Sequence, residues 1–431
     1  MPDAPDTKKL AQKEGPEIPP EAEAPKKVGK KKTTGPKKVG KKAAPSKKPT
    51  ALTRGRAYLR KEMKDSDDDV VPTDKDLKKS RPHIPSGSVI VDYTIGGIPN
   101  EHGVPPCPGL PRGRLVNLYG QESAGKTTMM LMAAAKIIES GGTVCYVDWE
   151  HSIDLAYSAK LGVDVQDDDH FLLVQPRSLE RGLSYIMTMA RSGVDLVVID
   201  SVGAAVPQSV LDQKADEEGK MGRIGLAAAI WSTSLAKLKG IIARTGSCVV
   251  GISQMRKNIN TSGYGGETDL PMGGEAWKFY SELRMRLKRV GTETGMRYSA
   301  LLHKKDKAAI GMKVLLKIDK SKVSASQGQK SIFYVTFGEG IDDHRGVMEI
   351  GLSHRIVKRA GASYTFEMPD GEVIKATGKD AFLAQLKTDE GIWTALYKSV
   401  IAKLNATPDI VEPVEEDNFD DLDDYVTGLG E

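Results

Sequence analysis

Gly120-Gln121-Glu122-Ser123-Ala124-Gly125-Lys126-Thr127 fits the pattern G-x-x-x-x-G-K-[ST] and stands between an apolar run at residues 115–119 and a helix-like stretch at 127–140. Strand, glycine-rich turn and helix in that order are what a phosphate-binding loop requires. The glycines let backbone N–H groups face phosphate oxygens, and the following helix turns the positive end of its dipole toward them. On this reading Gly120, Gln121, Glu122, Ser123, Ala124, Gly125, Lys126, Thr127 and Thr128 cradle a nucleotide. Lys126 reaches the β- and γ-phosphates, and the Thr127 hydroxyl ligates Mg²⁺.

Outward from this loop the texture is that of an α/β domain. Apolar runs at 115–119, 143–147, 172–174, 196–199 and 247–252 alternate with helical stretches at 127–140, 179–191 and 226–244. Continuous apolar strands between helices predict a mostly parallel sheet covered on both faces. The runs at 282–289, 312–318 and 332–337 have no helices between them and predict an antiparallel extension, and a smaller module beyond residue 338 ends in one helix-like stretch at 379–404. Two acids complete the chemistry. Leu196-Val-Val-Ile199 ends in Asp200-Ser201, the pattern that holds Mg²⁺ directly or through water. Glu150, in Asp148-Trp-Glu-His151, follows a second strand and can orient and deprotonate an attacking water. Together with the loop, these acids give the layout of an ATPase.

The 431 residues carry a net charge of +4, which conceals two opposed ends. Residues 26–48 hold eleven lysines and no acid, with Pro-Lys-Lys-Val-Gly-Lys-Lys at both 25–31 and 36–42; residues 412–431 hold nine acids and neither Lys nor Arg. Neither end can bury enough apolar surface to offset the entropy of ordering, so both are expected to be disordered. The basic end reads either as an electrostatic hold on nucleic acid or as a solvated tail. The acidic end reads either as a competitor of DNA for basic surfaces or as a solubility tail. No run of about 18 apolar residues is present, so no membrane-crossing helix is expected. No apolar leader segment marks a secretory signal. Cys107, Cys145 and Cys248 have neither disulfide-framework nor metal-ligand spacing, which suggests a reduced, cytoplasmic protein.

Residues 120–128, Asp148-Trp-Glu-His151, Leu161-Gly-Val-Asp-Val165, Val198-Ile-Asp-Ser-Val202, Ile252-Ser-Gln-Met-Arg256 and Gly273-Gly-Glu-Ala-Trp-Lys-Phe-Tyr280 resemble, in order and spacing, the bacterial RecA family of ATP-dependent recombinases. The resemblance runs over roughly residues 84–403, and the acidic C-terminus resembles the family too. It implies a RecA-like P-loop ATPase core with a small C-terminal α/β domain, ATP and Mg²⁺ as cofactors, and polymerisation as a helical filament on single-stranded DNA. It also implies homology search and strand exchange with duplex DNA, stimulated ATP hydrolysis, and a place in repair and the SOS response. The implied plan is a tail at 1–50, a polymerisation segment at 51–83 with a short helix near 51–64, the core at 84–338, the small domain at 339–405 and an acidic tail at 406–431. Residue by residue, Glu150 matches the water-activating position, Tyr157 the aromatic that stacks on adenine, and Gln254 the sensor of the γ-phosphate. Lys320 and Lys322 match the pair that reaches a neighbouring subunit's ATP.

Two segments are expected to be DNA loops. The first, 212–225, contains Met221, Arg223, Ile224 and Gly225; the second, 255–274, contains Arg256, Lys257, Ile259, Tyr264, Gly265, Gly273 and Gly274. Basic groups on a glycine-rich loop can follow phosphates, while Ile or Tyr can wedge between or stack on bases. The chain departs from the family at Ala229, where the family has an Arg; at Tyr264-Gly265, where it has Phe-Gly; and in a Pro-rich insertion between Ile98 and Pro111. These departures suggest a divergent lineage, cellular or phage. Two other readings share the nucleotide motifs: a ring-forming RecA-fold helicase, and a scaffold that binds ATP without turning it over.

Overall fold

The apolar runs become strands whose odd and even residues serve opposite layers. The computed structural model describes residues 78–100, 102–212, 223–256, 270–271, 275–299 and 303–406. β1 (His83–Ile84) and β2 (Leu110–Pro111) pair antiparallel, with α1 (Val89–Gly96) between them in sequence. β3 (Leu115–Gly120), α2 (Lys126–Glu139), β4 (Val144–Asp148), α3 (Leu155–Lys160), β5 (Phe171–Val174), α4 (Leu179–Ser192) and β6 (Leu196–Asp200) follow. Next come the single-turn α5 (Gln208–Leu211), α6 (Arg223–Thr245), β7 (Cys248–Arg256), β8 (Leu270–Pro271) and α7 (Glu275–Tyr280). β9 (Leu283–Ser299), β10 (Lys304–Ser321), β11 (Lys330–Thr336) and β12 (Gly340–Ile341) extend the sheet. The chain continues through α8 (Asp343–Ser353), β13 (Val357–Ala360), β14 (Ser363–Glu367), β15 (Val373–Thr377), α9 (Lys379–Thr388) and α10 (Glu390–Ala406).

The main sheet runs β5-β4-β6-β7-β3-β9-β10-β11-β12 and is parallel from β5 to β9. Val116, Leu118, Tyr146, Val198 and Val250 pack with Met129, Met130, Ala133 and Ile137 of α2. The alternate residues Leu115, Cys145, Val147, Val197 and Ile199 pack with Leu183 and Ile186 of α4 and with Trp231, Leu235 and Leu238 of α6. Covering both faces is why these strands read as unbroken apolar runs. Burying each such aliphatic side chain contributes about 1.5–3 kcal/mol.

Three expectations need correction. The antiparallel extension starts one strand later than the sequence suggests: residues 283–287 of β9 pair parallel to β3, and only the β9–β10 side is antiparallel. The single helix expected over 379–404 is two, because Asp389 leaves helical geometry and its carboxylate accepts from the backbone N–H groups of Gly391 and Ile392 at 2.8 and 3.1 Å. That contact caps α10. Finally, one stretch among the described residues, Gly225–Thr245, is long and apolar enough by composition to cross a membrane. Spaced Leu and Ile residues and five alanines supply that hydropathy without forming an unbroken apolar run. Its Trp231, Leu235, Leu238 and Ile242 bury against the sheet, while Lys237 and Arg244 are exposed.

Residues 72–431 cluster as one compact unit, in which Phe366, Phe382, Leu396 and Val400 share an apolar cluster with Ile90 and Val91 of α1. The seam holds two carboxyls. Asp343 accepts from Ser88 Oγ at 2.6 Å and from the Val89 N–H at 2.8 Å, and Asp92 accepts from the Ser86 N–H at 2.9 Å. Protein atoms crowd both groups; this desolvation pushes Asp92 up to about 7, with Asp343 adding to the rise, and Asp343 up to about 6. Raised carboxyls contribute stability that is present below the ordinary carboxylate range and is lost as pH rises toward 7. Asp92→Asn keeps an oxygen for the Ser86 N–H and removes the ionisation. Its unfolding midpoint should exceed wild type by about 3–6 °C at pH 8 and by less than half as much at pH 5 in thermal melts; an equal shift at both values would contradict the titration.

Candidate functional site

The carboxyl ends of β3, β4, β6 and β7 converge because the connection from β3 to β4 passes over two strands, leaving a crevice at the switch in strand order. The phosphate-binding loop fills it, with Ser123 and Gly125 at φ of +56° and +86°. Glycine adopts the second conformation at no steric cost. Lys126 is buried with its ammonium on the carbonyls of Gly120 and Gln121 at 3.2 and 2.6 Å. Burial holds its pKa below the usual lysine range, against the pull of Asp200, Glu150 and Glu122. Asp200, also buried, accepts from Thr127 Oγ1 at 2.8 Å and Tyr146 OH at 2.7 Å. Burial, followed by the charges of Glu150 and Asp148, raises its carboxyl against those two hydrogen bonds.

Glu150 is placed by its neighbours. Trp149 is buried, edge-on to Trp231 with ring centres 6.2 Å apart, and its backbone N–H donates to the Asp200 carbonyl at 2.7 Å. The buried Asp148 carboxylate accepts from the Glu150 N–H at 3.0 Å and from Gln175 Nε2 at 3.1 Å. The exposed Glu150 side chain then accepts through Oε1 from Ser201 Oγ and, at 3.2 Å, from Gln254 Nε2.

These groups open on a cavity of about 390 Å³ lined by residues 122–128, Glu150, Tyr157, Asp200 and Gln254. The volume falls in the range of small-ligand sites. Tyr157 OH lies 3.2 Å from Thr128 Oγ1. Met312, Val335, Phe337 and Gly338, from β10 and the chain around the end of β11, close the far wall, and Phe337 is 46% exposed there. This wall is absent from the sequence reading. No cluster of three metal-binding side chains exists among the described residues. A Thr–Asp pair beside a phosphate cradle still fits Mg²⁺, which is held by one or two protein oxygens plus substrate phosphates.

Lys320 and Lys322 do not line this cavity. Lys320 Nζ donates to the carbonyls of Lys278 and Phe279, at 2.9 and 3.1 Å, in the last turn of α7. Burial and then the charges of Lys322, Arg284 and Lys239 lower its pKa. Of the expected DNA-contact residues, Arg223, Ile224 and Gly225 begin α6 instead of lying in a loop, and Arg256 ends β7. Met221, Lys257, Ile259, Tyr264, Gly265, Gly273 and Gly274 lie outside the described residues, as do both charged tails and the candidate helix at 51–64.

The family profile described as the RecA N-terminal domain matches residues 64–342. The chain belongs to the RecA family. Protein RecA of Xanthomonas axonopodis pv. citri is 36% identical over 73% of this chain and 82% of its own length. Protein RecA of Kineococcus radiotolerans is 34% identical over 79% and 88%, and that of Acidothermus cellulolyticus 33% over 77% and 87%. A solved structure of the RadB recombinase aligns with a TM-score of 0.38 and 20% identity over 55% of this chain and 92% of that one. RecA-family membership makes this an ATP- and DNA-binding protein of recombination and repair.

Proposed function

We propose that the protein is an ATP-dependent homologous recombinase that polymerises on single-stranded DNA, searches duplex for homology and exchanges strands in the cytoplasm. The observation that carries this reading is the Gln254–Glu150 contact. Gln254 sits on β7, immediately before the candidate DNA loop at 255–274, and its amide touches the carboxylate best placed to activate water. A change at the γ-phosphate is thereby felt at the root of that loop, which ties nucleotide state to DNA affinity. Lys126 and the loop N–H groups hold the phosphates, Glu150 orients and deprotonates the water, and Tyr157 and Phe337 offer aromatic faces to the base. Mg²⁺ on Thr127 and Asp200 would neutralise phosphate charge. Lys320 and Lys322 act on a neighbouring subunit's ATP. Arg223, Ile224, Gly225 and Arg256, with Met221, Lys257, Ile259, Tyr264, Gly265, Gly273 and Gly274, form the DNA-facing set. The five-part division at residues 50, 83, 338 and 405 belongs to the same proposal.

Electron microscopy with single-stranded DNA and a non-hydrolysable ATP analogue tests the reading. Open helical filaments, together with strand exchange between a circular single strand and a linear duplex, are expected. Closed rings without exchange would favour the helicase.

A further inference from the structure

A second cavity, larger than the nucleotide site, lies elsewhere among the described residues. It is a groove of about 1930 Å³ between α1, the outer face of β10 and β11, and α8, β13 and α10. Its volume exceeds the roughly 300–1,000 Å³ of small-ligand pockets and suits an extended peptide. Half-buried apolar side chains line it: Tyr93, Ile350, Leu352, Tyr397, Ile401 and Leu404. Its rim carries Lys313, Lys330, Arg355, Lys358, Arg359 and Lys379 against one carboxylate, Glu349, which is already paired with Lys379.

The chain leaves the described structure at this groove. Leu404 and Asn405 line it, and Tyr93 OH donates to Asn405 Oδ1 at 2.9 Å, fixing the end of α10 against α1. The 25 residues that follow Ala406 contain ten acids and no Lys or Arg, interleaved with Val411, Val414, Phe419, Leu422, Tyr425 and Val426. A basic rim over an apolar floor complements that pattern. The lysine-rich stretch at 26–48 has the same sign of charge as this rim and does not complement it.

We propose that the acidic C-terminal segment 407–431 docks in cis into this groove, its carboxylates on the Lys and Arg rim and its apolar residues on the floor between α1 and α10. The segment is then a strap across the seam between the ATPase core and the C-terminal elements, away from the nucleotide cavity. The inference is independent of the recombinase reading, since it uses neither the nucleotide site nor the DNA loops.

The test uses the full chain with Asn418→Cys carrying a benzophenone. Cys107, Cys145 and Cys248 are buried, so the new thiol labels selectively. After irradiation at low salt, intramolecular cross-links to residues 89–98, 343–359 and 390–405 are expected, mapped by mass spectrometry on the monomer band. Arg355→Glu with Lys358→Glu, both exposed positions, should reduce that yield at least fivefold, as should 0.5 M salt. Cross-links confined to the nucleotide side, to a second copy of the chain, or to no site would overturn the docking. A groove cross-link indifferent to charge reversal and salt would overturn the electrostatic recognition.

Discussion

Glu150→Gln lowers DNA-stimulated ATP hydrolysis by about 10²–10⁴-fold and leaves nucleotide affinity within about twofold, the range expected when a general base is removed from an otherwise intact site. The substitution is nearly isosteric. An amide oxygen still accepts from Ser201 Oγ and Gln254 Nε2, so the local hydrogen bonds survive. The backbone is held independently by Asp148 and by the buried Trp149. What is lost is an oxygen basic enough to take a proton from water. Single-turnover hydrolysis and titration with a fluorescent ATP analogue separate the two quantities. Hydrolysis at the wild-type rate would place the base elsewhere, and loss of binding alongside hydrolysis would make Glu150 a structural residue. A protein that binds ATP only as a scaffold would show no difference, because it would have no rate to lose.

The parts of this site that the sequence discloses are those encoded locally. The phosphate loop is eight consecutive residues, and Asp200 and Glu150 declare themselves by following apolar runs that can only be buried strands. The partners that set their chemistry are hidden by the same rule. Tyr146 sits in the apolar run of β4 and reads as core, yet its hydroxyl reaches Asp200. Asp148 reads as one more acid in an acidic tetrapeptide, although its carboxylate organises the turn that presents Glu150. Met312, Val335 and Phe337 reach the cavity only because β9 pairs parallel to β3 and then turns back through β10 and β11. The β3–β9 pairing joins Val116 to Leu283, far apart in the chain, and leaves no local trace. The break at Asp389 was available as a polar Thr-Asp-Glu-Gly interruption, but apolar periodicity on both sides of it masks the end of one helix and the start of the next.

Lys320 and Lys322 permit a test that no single variant can give. In this chain they lie outside the cavity, with Lys320 Nζ on the final carbonyls of α7, where the helix dipole favours a cation. Lys320→Ala with Lys322→Ala should abolish filament-dependent hydrolysis while leaving the chain's own cavity intact, and Lys126→Ala should abolish it by emptying that cavity. A head-to-tail filament places each cavity against the lysines of the next copy. In a random one-to-one mixture of the two dead variants, about a quarter of such heterologous interfaces pair an intact cavity with intact lysines. The mixture should therefore recover about a quarter of wild-type hydrolysis on single-stranded DNA, measured by phosphate release. If the lysines instead served their own chain's nucleotide, every subunit in the mixture would lack one half of its site and recovery would be nil. Adding excess Lys126→Ala should raise turnover per intact cavity, because each such cavity then more often meets a neighbour with lysines; a flat response would show that the two halves of the site are not shared between copies.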